Sequence, residues 1–176
     1  TCDKTDTMNY VVSFLEKLVN TPSPSGFTDE VMALVEKEAA GFGFLSHYSR
    51  KGGLIIEVPG NTDLVLGLSA HVDTLGAMVA EVSSTGRLHL TPVGGMNANN
   101  AEAENCRVIT RGGKVYTGTF QLKNASIHVN DNYNEVKRSY GEMEVLLDEI
   151  VRSKEDVLAL GIMPGDFVCF EPRTVV

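Results

Sequence analysis

From residue 8 to 19 the apolar positions are Met8, Val11, Val12, Leu15, Leu18 and Val19. That is the three-and-four spacing of one helix face, with Asp6 or Thr7 placed to cap it. Thr21-Pro22-Ser23-Pro24-Ser25-Gly26 interrupts the pattern, because two prolines remove amide donors and push their predecessors toward extended backbone. The spacing predicts a second helix over 28–40, with Val31, Leu34, Val35 and Ala39 inward and Gly41 or Gly43 ending it. The period then changes to that of strands. Residues 44–50 and 54–58 flank a Gly52-Gly53 turn, and 63–70 holds the continuous apolar run Leu64-Val65-Leu66-Gly67-Leu68. Such a run is expected of a central strand covered on both faces. Two helices feeding strands of this kind make an α/β layer.

After Gly76 the character shifts. Residues 77–83, 87–93, 107–111, 114–122, 143–147 and 166–171 read as short strands broken by Thr85-Gly86, Gly94-Gly95 and Gly112-Gly113. Short strands between glycine turns predict a small β-barrel or sandwich. Ser153-Lys154-Glu155-Asp156 opens a short helix ending at Gly161, with Ser153 as cap and Asp156 at the third helical position. The sequence therefore divides near Gly76 into an α/β piece and a β-rich piece.

Composition narrows the field of functions. A formal net charge of -8, with no cationic run longer than Arg50-Lys51 or Lys137-Arg138, argues against nucleic acid as a partner. No apolar stretch approaches the ~20 residues of a membrane span, so no membrane partner is expected. Three widely spaced cysteines, Cys2, Cys106 and Cys169, without a CxxC pair, read as reduced thiols of a cytoplasmic protein.

The chemistry centres on Ser69-Ala70-His71-Val72-Asp73-Thr74-Leu75-Gly76, at the end of the expected central strand, where open α/β sheets place ligands. His71 and Asp73 alternate along an extended segment, so an imidazole and a carboxylate can share one side. The carboxylate could then accept the ring's second N–H and fix its tautomer. An ordinary polar pair fits the same spacing, and spacing alone does not separate the two. His47, His89 and His128 lack ligand spacing and read as surface or packed histidines. Residues 142–149 read as a strand with a solvated acidic face, the Asn97 to Asn100 cluster as an exposed loop, and Cys106 as a β-edge residue without a catalytic partner.

The Thr21–Gly26 loop, Ala70-His71-Val72-Asp73, Ser153-Lys154-Glu155-Asp156-Val157 leading to Gly161, and Pro164-Gly165-Asp166-Phe167-Val168 occur in this order. Taken together the chain resembles the glutamyl/deblocking aminopeptidases, the tetrahedral-type dinuclear metallopeptidases of family M42. The resemblance implies a zinc-peptidase-like α/β/α domain with a β-barrel, PDZ-like dimerisation domain inserted after the HxD strand. Residues 1–76 would be the N-terminal part of the catalytic domain, 77–168 the inserted domain and 169–176 a return strand.

The same resemblance makes His71 a ligand of one metal ion and Asp73 the catalytic-site carboxylate that orients it. Thr74-Leu75 stands where a Glu-Val pair is frequent in the family, a difference that bears on subfamily. The bridging aspartate, the Glu-Glu pair, a further acidic ligand and a final histidine follow the inserted domain in the family. This chain is therefore expected to be a truncated one, inactive by itself. The implied function is removal of N-terminal residues from short peptides, with two divalent ions (zinc, cobalt or manganese) in the complete enzyme and none tightly bound to this chain. A homo-oligomer through the inserted domain, a dimer or a dodecamer, is the expected assembly. Two other readings are a non-catalytic assembly module and a carboxypeptidase/acylase-type metallopeptidase. The latter places its second metal aspartate about thirty residues on, and no aspartate lies between Asp73 and Arg107.

Overall fold

A computed structural model describes residues 4–172 and 174. These form two compact units, one up to Asp73 and the other spanning Thr74–Arg173.

In the first unit, α1 (Lys4–Asn20) and α2 (Asp29–Gly41) precede a two-stranded antiparallel hairpin, β1 (Leu45–Tyr48) and β2 (Leu54–Glu57). Helix α1 starts before the expected caps, which places Asp6 in its first turn, where a negative charge suits the positive end of the helix dipole. Thr28 stands at the N-cap of α2 without a side-chain cap bond, and Asp29 and Glu30 occupy the first turn. Val31 and Ala39 are buried, and Gly43 carries the chain out of the helix at φ 77°. The Tyr10 hydroxyl donates to Glu38 Oε1 at 2.9 Å and that of Tyr48 to Glu36 Oε2 at 3.0 Å, tying α1 and β1 to α2.

Residues 64–70 correct the sequence reading, for they form no strand. Leu64, Val65, Leu66 and Leu68 are 79–91% exposed. An extended run becomes a strand only when neighbouring strands take its N–H and C=O groups. None of the strands among the described residues pairs with it. The apolar pattern is real, but it specifies cover that these residues do not supply.

The second unit is a closed six-stranded barrel of β3 (Gly76–Val82), β4 (Leu88–Val93), β5 (Glu104–Ile109), β6 (Val115–Leu122), β7 (Met143–Leu147) and β8 (Phe167–Phe170). Around the barrel the order is β3-β4-β7-β6-β5-β8, all pairs antiparallel. Period-two alternation turns Met143, Val145 and Leu147 inward and leaves Glu144 on the outer face. Val79, Leu88, Leu90, Val108, Phe120, Leu122 and Val168 fill the interior with them. The Phe120 ring packs 5.8 Å from that of Tyr140 and 5.6 Å from that of Phe170, centroid to centroid. Gly118 is needed where β6 meets β7, since a Cβ there would lie 2.6 Å from the Leu146 carbonyl oxygen. Strand β8 runs on through Cys169 and Phe170, paired with Arg107 and Cys106. Those two residues therefore belong to the barrel. Residues 173, 175 and 176 of the expected return strand lie outside the described residues.

The Asn97 to Asn100 cluster is a 3-10 turn (Ala98–Ala101) with Ala98 and Ala101 buried, not an open loop. Small alanines at its ends let the turn seat on the core, which the polar asparagines between them concealed. Its neighbour Glu102 receives both short contacts of Arg138 Nε, at 3.0 and 3.2 Å, while Arg138 Nη1 donates to the Tyr133 and Val136 carbonyls. This anchors the long β6–β7 connection.

Helix α3 (Lys154–Leu160) forms as its local signals require. The Ser153 hydroxyl accepts the Asp156 N–H, Asp156 Oδ2 accepts the Ser153 and Arg152 N–H groups, and Gly161 closes the helix at φ 89°. The Arg152 amide bond first, and the Ser153 hydrogen bonds with it, hold the Asp156 carboxyl below its ordinary range. A depressed carboxylate contributes stability above its unfolded pKa, about 4, and loses it as pH falls through the lower folded value. Asp156→Asn is thus expected to lower the melting temperature most above about pH 5, with the difference fading as the pH drops below about 4. Thermal unfolding of both proteins across that range checks it, and a pH-independent difference would remove the charge from the account.

Further along, Asp166 is buried. It receives the Arg111 amide on Oδ1 at 3.2 Å and the Met163 amide on Oδ2 at 2.8 Å. The Pro-Gly-Asp motif thereby pins the turn that starts β8.

Candidate metal-binding site

The first unit brings three side chains together. His71 Nδ1 lies 3.1 Å from Asp73 Oδ1 and 3.0 Å from the Asp73 carbonyl oxygen. Both neighbours only accept, so Nδ1 carries a proton, and in the neutral ring Nε2 then keeps its lone pair. The His71 side chain is 85% exposed, which leaves Nε2 open. The other Asp73 oxygen, Oδ2, receives the hydroxyl of Ser25, from the Pro22–Gly26 loop between α1 and α2. That loop is set by its sequence: Pro22 and Pro24 fix φ, Phe27 N–H donates to the Pro24 carbonyl at 2.7 Å, and Gly26 takes φ 91°. The Ser25 hydroxyl, foremost, holds the Asp73 carboxyl below its ordinary range, helped by the contact with His71 and by the residue's own amide.

The sequence-predicted pair is thus in contact, although the segment before it is irregular rather than a strand. Ser25 was visible only as a letter of a loop motif. Nothing in the sequence marked it as the partner of a carboxylate 48 positions away.

The other candidates fall elsewhere. His47 sits exposed on β1, 3.8 Å from Glu57, and His128 is exposed in the β6–β7 connection. His89, on the outer face of β4, stands 3.6 Å from Glu81 and 4.0 Å from Glu144. Cys106 is not at an edge: β5 lies between β6 and β8, and the residue is fully buried. Burial above all, with the charges of Asp148 and Glu171 and the neighbouring Cys169, pushes its thiol up to about 12. Since the thiolate is the reactive form, Cys106 is expected to resist iodoacetamide at pH 8 in the native protein and to react on unfolding. Peptide mapping checks this, and rapid native labelling would show the barrel opening at β5.

Among the described residues no group of three or more His, Cys, Asp or Glu converges to hold a metal ion. The donor set therefore fits one position of a metal centre, with an imidazole nitrogen open and its partner held by a carboxylate, and does not complete one. No helix of the described residues is long and apolar enough to cross a membrane.

The chain is similar to several known proteins. YhfE of Bacillus subtilis (strain 168), provisionally named an aminopeptidase, is 40% identical over 166 residues, covering 94% of this chain and 48% of its own length. The fold matches a TET aminopeptidase from Thaumarchaeota archaeon SCGC AB-539-E09 with a TM-score of 0.80 at 21% identity, over 93% of this chain and 46% of that one. It also matches the Pyrococcus horikoshii TET1 peptidase, described as assembling into a tetrahedron or a large octahedral shell, with a TM-score of 0.73 at 22% identity over 91% and 46% of the two chains. The chain spans about half the length of the curated relatives it matches. Residues 52–176, more than half of the chain, match the M42 glutamyl aminopeptidase family model, and by that match the chain belongs to the family.

Proposed function

We propose that this chain is the N-terminal part of a metal-dependent aminopeptidase that removes N-terminal residues from short peptides. In this reading His71 is a metal ligand through Nε2, and Asp73 orients its ring. The observation that carries it is the hydrogen bond that assigns the proton to Nδ1 and leaves Nε2 open. Two divalent ions, of zinc, cobalt or manganese, are the cofactors of the complete enzyme. A divalent ion bound at such a centre polarises the scissile carbonyl and lowers the pKa of bound water. The chain's own residues hold the imidazole ready and supply one ligand of the three that catalytic zinc sites use, so no ion binds tightly to this chain alone.

The barrel unit is the inserted dimerisation domain of this reading, and the protein works as a homo-oligomer. The assembly described for the Pyrococcus horikoshii TET1 peptidase supports that extension. A cytoplasmic location accords with the free thiol of Cys106. The test is aminoacyl-anilide hydrolysis by the protein expressed from the whole gene. Activity lost on chelation and restored by zinc, cobalt or manganese is expected, and hydrolysis indifferent to chelators would overturn the proposal. A second reading, a non-catalytic assembly module, is favoured by the closed barrel, which forms a compact unit by itself. Self-association without any metal-dependent hydrolysis would select it.

A further inference from the structure

We propose that Ser25 is a positioning residue for the His71 imidazole, holding Asp73 in the rotamer from which its other oxygen receives the ring Nδ1–H. The inference rests on the reading of His71 as a ligand for its purpose, but not for its geometry. Asp73 is a short side chain with two torsions, partly exposed, and water competes for both of its oxygens. A carboxylate tethered at one oxygen only could swing out and release the ring. Here Oδ2 accepts from Ser25 and Oδ1 accepts from His71, so each oxygen of the carboxylate is held by its own donor.

The clamp is anchored from a stiff platform. Ser23 and Pro24, just before Ser25, are buried, and the turn closed by Phe27 N–H and Pro24 O holds the hydroxyl in place. The consequence for His71 is the choice of tautomer. An unrestrained neutral histidine favours the proton on Nε2, the nitrogen that must be free to donate to a metal. Asp73 reverses the preference, and it does so only while its carboxylate stays put. The Ser25 hydroxyl thus acts two contacts away from the nitrogen it governs, by orientation alone.

The test is a long-range proton–nitrogen NMR correlation of the imidazole rings in protein carrying nitrogen-15 histidine, at about pH 8. The parent is expected to show His71 protonated on Nδ1. Ser25→Ala is expected to raise the Nε2–H population severalfold, and Ser25→Thr, which keeps the hydroxyl, to restore the parent pattern. Should Ser25→Ala fail to fold, judged by the amides of α1 and α2, Ser25→Cys carries the same expectation with a weaker donor. An unchanged His71 tautomer in a folded Ser25→Ala or Ser25→Cys protein overturns the proposal.

A cobalt titration of the same samples separates the two claims. In the parent, broadening of His71 ahead of His47, His89 and His128 supports the ligand reading, and Ser25→Ala should require about 10-fold more cobalt for the same effect. A tautomer shift without preferential broadening in the parent keeps the positioning role and removes the ligand reading. Preferential broadening with no tautomer shift does the reverse.

Discussion

Replacing His71 by alanine in the protein made from the whole gene is expected to lower kcat/KM about 1,000-fold or more. If His71 is a ligand, as proposed, its loss dislodges an ion: a Lewis acid at a developing oxyanion is worth several kcal/mol, and each 1.4 kcal/mol is a factor of about ten. In the 176-residue chain the same substitution should change nothing measurable, because that chain is expected to hydrolyse no aminoacyl-anilide with zinc, cobalt or manganese present. The reason is the donor set. Among the described residues one imidazole is available where three protein ligands are usual, and the contacts with Ser25 and His71 hold the neighbouring carboxylate's pKa low, which makes it a poor base toward water. Side-by-side assays with metal titration decide the matter. Chelator-sensitive turnover by the 176-residue chain that disappears with His71→Ala would mean that its catalytic groups have been misplaced.

The second large effect concerns the barrel. Phe120→Ala is expected to cost about 3–5 kcal/mol, against a total that for most domains is only about 5–15 kcal/mol. Phe120 is completely buried and its ring touches those of Tyr140 and Phe170, so truncation leaves a cavity bordered by two rigid aromatic rings. The closed ladder around it cannot collapse inward without breaking strand pairs, which keeps the cost at the upper end. Urea denaturation followed through the barrel should show a lower midpoint with a nearly unchanged slope. A loss below about 1 kcal/mol would mean that Tyr140 and Phe170 repack into the space.

What could be read in advance depended on how far apart the interacting groups lie in sequence. Helix α3 was fully readable, since Ser153, Asp156 and Gly161 are a start signal, its reply and a stop signal within nine positions. Barrel strands were readable one at a time from alternation, but not the order in which β5 pairs with both β6 and β8. Residues 64–70 failed for a related reason. A strand is a property of paired segments, so an apolar run announces a demand for partners without saying whether they are at hand. The site divides the same way: His71 and Asp73 are two residues apart and could be judged together, whereas Ser25 reaches Asp73 only through the fold.

The barrel closes where β8 pairs with β3, Ala77 opposite Val168. Its entry and exit are therefore neighbouring strands, about 5 Å apart, and run in opposite directions. A chain that detours through the barrel leaves almost at the point where it came in. Such a unit can be spliced into a surface loop, enlarged, exchanged for another cassette or cut out and bridged by a few residues, while the flanking chain keeps its path. Evolution and engineering thus have the same freedom here: the size and surface of the barrel can vary widely as long as the β3–β8 seam holds the two ends together.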